Sequence, residues 1–338
     1  MWIDELEKIT KVRVLNREDS RPRALVEPSS EEEVSEVIHL LSSEGLKGHF
    51  IGTGTHHIGE RVEADVYLSM SFFTGLREAS MADLYVKVGA GTLFKDLNAA
   101  LRREQMWLPF AYHGSVGGFA SLNIPDHFSL FYGYPRDWLL GARIVTGKGE
   151  VINTGSKNPK FSSGYKIWKA MSGSLGKLGG YLEITLKTVP LPEEVVPVEV
   201  KYEQVADVIS RGAHGITLLK ADRETIVAWF AGHSSYVRRS IENFRVAEVE
   251  ECSGDRVNSV LTARGKEIEV ARRLKGECIV SYYGTGYSRV FNGEELEELR
   301  SKGYTAYGEK GCTKDCLPSL GQAFHLLKSA LDPEGVLV

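Results

Sequence analysis

Three glycines and two threonines crowd into the eight residues Gly52-Thr53-Gly54-Thr55-His56-His57-Ile58-Gly59, directly after the apolar run Gly48-His49-Phe50-Ile51. A surface turn needs one or two such glycines. A loop that brings several backbone N–H groups against one anion needs more, because a Cβ would hold the anion away. The chemistry on offer is a phosphate cradle, with a plain turn as the alternative. The pattern is not a dinucleotide fingerprint, since its third glycine is misplaced and no good helix follows. It is not a P-loop either, since no Gly-Lys-Ser/Thr follows. An anion here would be held by loop amides rather than by a helix N-terminus. His56 and His57 make a poor metal pair, because neighbours in an extended loop point to opposite sides.

Two more glycine loops follow. Gly114-Ser115-Val116-Gly117-Gly118 precedes an apolar stretch and Asn123, and Gly173-Ser174-Leu175-Gly176-Lys177-Leu178-Gly179-Gly180 precedes a long strand opened by Tyr181. Three glycine loops, each beside a strand, fit one extended ligand with a pyrophosphate, a sugar and two ring systems. A glycine-rich β protein with tight corners has no reason to repeat Gly-Ser. Other candidates are sparser. Cys312 and Cys316 form a C-x-x-x-C, with Cys252 and Cys278 earlier. These are not the C-x-x-C pairs of metal sites, so all four read as ordinary reduced thiols of a cytoplasmic chain. Arg289, in the aromatic segment Tyr282–Phe291, could meet a substrate carboxylate bidentately. The plainer reading is an arginine on a sheet face, in solvent.

The elements that position these residues begin with a helix after Ser30, where Ser30 and Glu33 form a capping box and Val34, Val37, Ile38 and Leu41 fall at helical spacing. Short strands at 48–51, 65–70 and 84–91 interleave with it, and Thr92 is placed to cap a helix carrying Leu93, Leu97 and Leu101. A hairpin over 142–154 and an alternating strand at 181–189 follow, then the breaker Pro190-Leu191-Pro192. Beyond it the order is βαββαβ, a ferredoxin-like unit. A polar helix at 262–275, a strand at 277–284, the solvated helix at 293–301 and a last helix stopped at Asp332-Pro333-Glu334-Gly335 complete the chain. With 338 residues, 42% hydrophobic and 25% charged, the composition is that of an ordinary globular protein. A net charge of −4 without a dense basic cluster gives nucleic-acid binding no electrostatic support. No apolar run reaches the roughly 18 residues a membrane span needs, and the acidic start is not a signal peptide. A cytoplasmic location is expected, with membrane association only through partners.

In their order and spacing these motifs resemble the FAD-binding family typified by p-cresol methylhydroxylase and vanillyl-alcohol oxidase. The resemblance runs over about residues 20–190 and the last twenty or so. It rests on "RPRALVEPSSEEEVSEVIHLL", the three glycine loops, "YGYPRDWLLGARIVTGKGEV", "KFSSGYKIWKAMSGSLGKLGGYLEITLK" and the closing "LKSALDPEGVLV". It implies an α+β, two-subdomain FAD-binding fold over 1–190, with subdomains of about 1–90 and 91–190. A short ferredoxin-like cap over 191–311 and a C-terminal helix, 312–338, that returns to the flavin domain would follow. By carry-over, Gly52, Thr53, Gly54, Thr55 and His56 line the pyrophosphate. Gly114, Ser115, Val116, Gly117 and Gly118, with Asn123, meet its other side, and Gly179 and Tyr181 stand near the adenine. Thr55 occupies the position where covalent members carry histidine, so the resemblance implies FAD held non-covalently. The chain departs from the family at Ile124-Pro125, where relatives often have small residues and glycine.

Within the family, the length and short cap resemble the smaller flavin subunit of glycolate oxidases. That implies an FAD-bearing subunit of a multi-subunit 2-hydroxy-acid dehydrogenase. Its partners would be a larger flavin subunit and an iron–sulfur subunit, its substrate a small 2-hydroxy acid such as glycolate or D-lactate. The cap histidines His214 and His233 form no cluster, so no self-contained base and cation stand out and catalytic residues are unassigned. A self-sufficient FAD oxidase or dehydrogenase of a sugar, lactone or other alcohol is the alternative. A flavin-free scaffold is the third, opposed by the intact glycine loops.

Overall fold

The computed structural model describes residues 2–15, 21–54, 58–59, 62–157 and 166–338. The chain opens with helix α1 (Trp2–Ile9) and strands β1 (Lys11–Val14) and β2 (Ala24–Glu27). Helix α2 (Glu31–Ser43), β3 (Gly48–Ile51) and β4 (Val66–Ser69) follow. These strands form a sheet in the order β1-β2-β4-β3, parallel except at its β1 edge. The expected periodicity positions α2: Val34, Val37, Ile38 and Leu41 are fully buried on its core face. Ser30 Oγ accepts the Glu33 N–H at 3.2 Å, while the Glu33 carboxylate returns to the Ser29 N–H at 2.8 Å, one residue earlier than a capping box requires.

The second sheet is built from β5 (Leu76–Ser80), β6 (Tyr85–Gly89), and, after helix α3 (Phe94–Arg103), the short β7 (Met106–Trp107) and helices α4 (Val116–Leu122) and α5 (Ser129–Tyr132), from β8 (Leu139–Val145), β9 (Val151–Gly155) and, past α6 (Ile167–Ala170), β10 (Gly180–Lys187). Its order is β5-β6-β10-β8-β9, antiparallel throughout, and the two-residue β11 (Val189–Pro190) pairs with β7 outside it. One expectation fails here. Thr92 does not cap α3: its hydroxyl accepts the Gly75 N–H at 2.9 Å, and Leu93 stands at the cap position without a side-chain bond. A tertiary partner outcompetes the local one.

The cap is larger in design than a single ferredoxin-like unit. β12 (Glu194–Val200), α7 (Val205–Ser210), β13 (Gly215–Lys220), β14 (Glu224–Gly232), α8 (Ser234–Ser240) and β15 (Arg245–Val246) make the expected βαββαβ unit, with sheet order β15-β12-β14-β13. A second unit follows with the same succession: β16 (Val257–Leu261), α9 (Glu267–Arg273), β17 (Cys278–Tyr282), β18 (Tyr287–Phe291), α10 (Leu296–Ser301) and β19 (Thr305–Lys310), in the order β17-β18-β16-β19. The units join through β13 and β17 into one eight-stranded antiparallel sheet. Leu296 and Leu299 of α10, expected as part of a solvated helix, are buried in the cap core.

The last helix, α11 (Gln322–Leu331), returns to the first half, where Phe324, Leu327 and Leu331 pack on the core of the second sheet. Asp332 fastens this return. Its carboxylate accepts the Val336 and Leu337 N–H groups at 2.8 and 2.9 Å and pairs with Lys328 Nζ at 2.5 Å. Among the described residues no helix is long and apolar enough to cross a membrane.

Candidate functional site

The three glycine loops converge on one cleft of about 760 Å³ between the two sheets of the first half. That volume lies in the range of cofactor sites. Gly52, Thr53 and Gly54 leave the end of β3 on one wall. Ser115, Gly117 and Gly118 form the facing wall, and Gly176, Gly179, Gly180 and Tyr181 close a third side beside Lys177. The absence of side chains is what makes the convergence possible. A Cβ on Gly52 would overlap Ser115 Oγ, one on Gly180 would meet the Phe50 ring at 2.7 Å, and one on Gly118 would meet Tyr112 Oη at 2.7 Å. An elongated, glycine-lined cradle of this size fits a dinucleotide such as FAD.

Not every expected residue serves as a wall. Gly117 donates its N–H to Ala90 O at 2.7 Å and Gly118 donates to Ser115 Oγ at 3.1 Å. Both amides are spent inside the protein, so what these glycines contribute is room. Val116 is fully buried in the hydrophobic core. Gly114 sits against the Tyr112 ring, off the cleft wall. Asn123 ends α4 in the left-handed region, φ 54°, and its Oδ1 accepts the Arg136 N–H at 2.9 Å, so it clasps two loops rather than facing the cleft. Tyr181 lines the cleft through its backbone end, because its hydroxyl donates to Trp168 O at 2.7 Å in the core. Thr55, His56 and His57 lie outside the described residues.

A second, small cavity of about 100 Å³ was not foreseen from the sequence. Tyr112, which also lines the large cleft, forms part of its wall together with His113, Ile124, Pro125 and Asp126 from the first half and Tyr282 and Arg289 from the cap. The departure at Ile124-Pro125 thus shapes this cavity. Arg289 is neither in solvent nor unaccompanied. It pairs with Glu309 through Nη2–Oε2 and through Nε–Oε1 at 3.1 Å, and Glu309 also accepts from the Ser259 and Tyr287 hydroxyls. Burial opposes the guanidinium's charge most strongly, but Glu309 with the neighbouring Tyr282 and Tyr287 together outweigh it, so the net shift is upward and the arginine stays cationic. Arg289 and Glu309 lie on β18 and β19, flanking β16, with Ser259 of β16 opposite Arg289. Only the antiparallel register brings them together, which is why spacing in the chain gave no signal.

The segment 124–134 docks the cap on the first half. Tyr134 Oη donates to Thr285 O at 2.5 Å, the Phe131 N–H donates to His214 O at 3.2 Å, and a Cβ on Gly215 would overlap the His127 carbonyl. His127 stacks on Trp229 of the cap at 4.2 Å. Burial lowers the His127 imidazole from its ordinary value near 6.5, and Asp126 opposes this only in part. A histidine lowered in the fold binds its proton more readily in the unfolded chain. Its neutral form is no burden above about pH 6.5, and stability is lost as the pH falls through that value. The thermal midpoint is therefore expected to drop as the pH falls below about 6.5, and the drop to shrink in His127→Phe, which retains a ring on Trp229. An equal drop in both proteins would locate the titration elsewhere.

The cysteines, expected as reduced thiols, are paired: Cys252 with Cys278 and Cys312 with Cys316. The fold sets their Cα atoms 5.9 and 5.8 Å apart, inside the range a disulfide spans. Spacing could not show this for Cys252 and Cys278, since Cys252 lies in the segment before β16 and meets Cys278 of β17 only in the folded cap.

Residues 22–155 match the family model described as FAD binding domain. Among curated proteins the chain is similar to a D-lactate dehydrogenase of Anaerostipes hadrus, 30% identical over 199 residues that make up 56% of this chain and 41% of that protein. It is also similar to the glycolate oxidase subunit GlcD of Bacillus subtilis, 26% identical over 62% of this chain and 47% of that protein. The chain thus matches less than half the length of these relatives. A solved structure of alkyldihydroxyacetonephosphate synthase superposes with a TM-score of 0.68 over 93% of this chain and 75% of that one, at 13% identity, and shares its fold.

Proposed function

We propose that this chain, whose residues 22–155 belong to the FAD binding domain family, is an FAD-dependent oxidoreductase of short 2-hydroxy acids that works as one subunit of a larger assembly. The observation that carries the reading is that the large glycine-lined cleft and the Arg289 cavity share Tyr112 as a wall. When bound, FAD supplies the acceptor for the electron pair leaving the substrate's α-carbon. Gly52, Thr53, Gly54 and Ser115 would hold its pyrophosphate, with Gly179 and the Tyr181 backbone toward the adenine. Arg289 would orient the substrate carboxylate, its fork held by Glu309. His113, on the same cavity wall, is the group we assign to take the hydroxyl proton.

The cavity's size bears on the substrate. The Arg289 cavity, about 100 Å³, is small beside the main cleft, which supports a short 2-hydroxy acid as the substrate. The likeness to a glycolate oxidase subunit supports a role inside a complex. Partners carrying a second flavin and iron–sulfur centres would then take the electrons on. In such an assembly the chain would be cytoplasmic, reaching a membrane only through those partners.

The test is an anaerobic titration of the purified, FAD-loaded chain with glycolate and with D-lactate, alone and with the co-purified partners. Bleaching of the visible flavin band is expected with at least one of the two acids, and D-2-hydroxyglutarate is expected to leave it unchanged. Bleaching only in the presence of partners would establish the subunit role. An unbleached band under every condition, with FAD retained, would refute the substrate class.

A further inference from the structure

We infer that Cys312 and Cys316 form a thiol–disulfide exchange site whose redox state sets how firmly the cofactor cleft is closed. Beyond residue 190, the described residues on the cleft wall are Asp315, Leu317 and Val338. The first two belong to the loop that the Cys312–Cys316 disulfide closes or adjoins, a ring of five residues just after β19. The loop leans directly on the first glycine loop. Leu317 packs so close to Gly59 that a Cβ there would lie 3.1 Å from its side chain, and the Gly59 N–H donates to Gly308 O at 2.9 Å.

Asp315, between the two cysteines, has φ 50°, in the left-handed region that costs most residues strain and that aspartate enters more readily than they do. Two hydrogen bonds tie the loop to the cap: Gly308 N–H to Cys316 O at 2.8 Å, and Arg300 Nη1 to Asp315 O at 2.7 Å. The first, through Gly308, anchors Cys316 beside Gly59, and the disulfide fixes the rest of the ring that carries Asp315 to the cleft. Opening the disulfide frees Asp315 to leave its left-handed backbone and lets Leu317 withdraw from the cleft.

The two sulfurs differ in access. Cys316 is fully buried and Cys312 is partly exposed, so an incoming thiolate reaches Cys312. A dithiol reductant would attack Cys312 Sγ to form a mixed disulfide while Cys316 leaves as a thiolate. The reductant's second thiol then attacks its own sulfur in that bond, and Cys312 leaves. The reductant ends as a cyclic disulfide, and its two electrons and two protons rest on Cys312 and Cys316. The other pair, Cys252 and Cys278, lines no part of the cleft and serves as an internal control.

The inference rests on the cleft being the FAD site, and the test separates the two. The oxidised, FAD-loaded protein is diluted with and without dithiothreitol. Free FAD fluorescence is followed, and alkylated peptides containing the four cysteines are weighed by mass spectrometry. Reduction of the Cys312–Cys316 pair is expected to speed FAD release about tenfold or more. The variant Cys312→Ser/Cys316→Ser is expected to release FAD quickly with or without dithiothreitol, and Cys252→Ser/Cys278→Ser to behave as the unaltered protein. Equal release rates when the peptides show the pair reduced would overturn the latch, as would a pair that resists dithiothreitol in the folded protein or a response that disappears with Cys252 and Cys278. A protein that never retains FAD when oxidised would overturn the cofactor reading, and the latch with it.

Discussion

Gly52→Val is expected to weaken FAD retention at least about a hundredfold, a loss of roughly 3 kcal/mol, while leaving the chain folded. Gly52 closes β3, where the first glycine loop touches the second. A Cβ would overlap Ser115 Oγ and lie 3.2 Å from Ser115 Cβ. Ser115 cannot turn aside without loss, because it is buried and its Oγ holds the Gly118 N–H at the start of α4. The two walls must separate, and a cradle built for one ligand then fits it poorly. The measurement is FAD retained after gel filtration, with circular dichroism as the control for folding. A double-variant cycle sharpens it. In the Gly52→Ala background, Ser115→Ala removes the overlapping atom and should recover part of the binding, whereas Ser115→Ala alone should weaken it modestly. If Gly52→Val retains FAD like the unaltered chain, the cleft is not the cofactor site.

Arg289→Met should cost about 3–5 kcal/mol of stability, because it leaves the Glu309 carboxylate buried with no cation beside it. For a chain of 338 residues that lowers the thermal midpoint by about 4–7 °C. Adding Glu309→Gln to Arg289→Met removes the orphaned charge and is expected to restore most of the lost stability. The amide is still able to accept from the Ser259 and Tyr287 hydroxyls. The double variant thereby separates structure from function. It should be stable and hold FAD, yet its flavin should no longer bleach with glycolate or D-lactate under conditions where the unaltered protein responds. A stable double variant that still bleaches would show that Arg289 is only the structural partner of Glu309. Arg289→Lys is expected to fall between, since an ammonium cannot reproduce the fork that meets a carboxylate at two points.

The glycine loops were legible as a site because their requirement is local. Gly52, Gly118 and Gly180 are needed for what they lack, and the lack shows in the chain itself. Helix α2 was legible for the same kind of reason, as its capping serine and its buried stripe fall within a dozen consecutive residues. The individual duties of the loop residues were less visible. Spacing cannot say that the Gly117 amide goes to Ala90, that Asn123 turns to Arg136, or that Val116 packs into the core.

Local chemistry in the sequence thus determined the bare-backbone loops, the βαββαβ succession at 194–246 and the last helix, while its return to the first half came only from the family resemblance. The second cap unit was hidden because its first and last strands in the chain read poorly as strands. β16 carries Asn258 and Ser259, and β19 carries Gly308 and two charged residues, all explained only by what they face. The Arg289–Glu309 pair, the cavity shared by Tyr112 and Tyr282, and the joining of Cys252 to Cys278 were decided by tertiary structure alone. Each joins residues from different strands or from opposite halves of the chain. Such partners meet only through sheet register and domain docking, which no local stretch of sequence encodes.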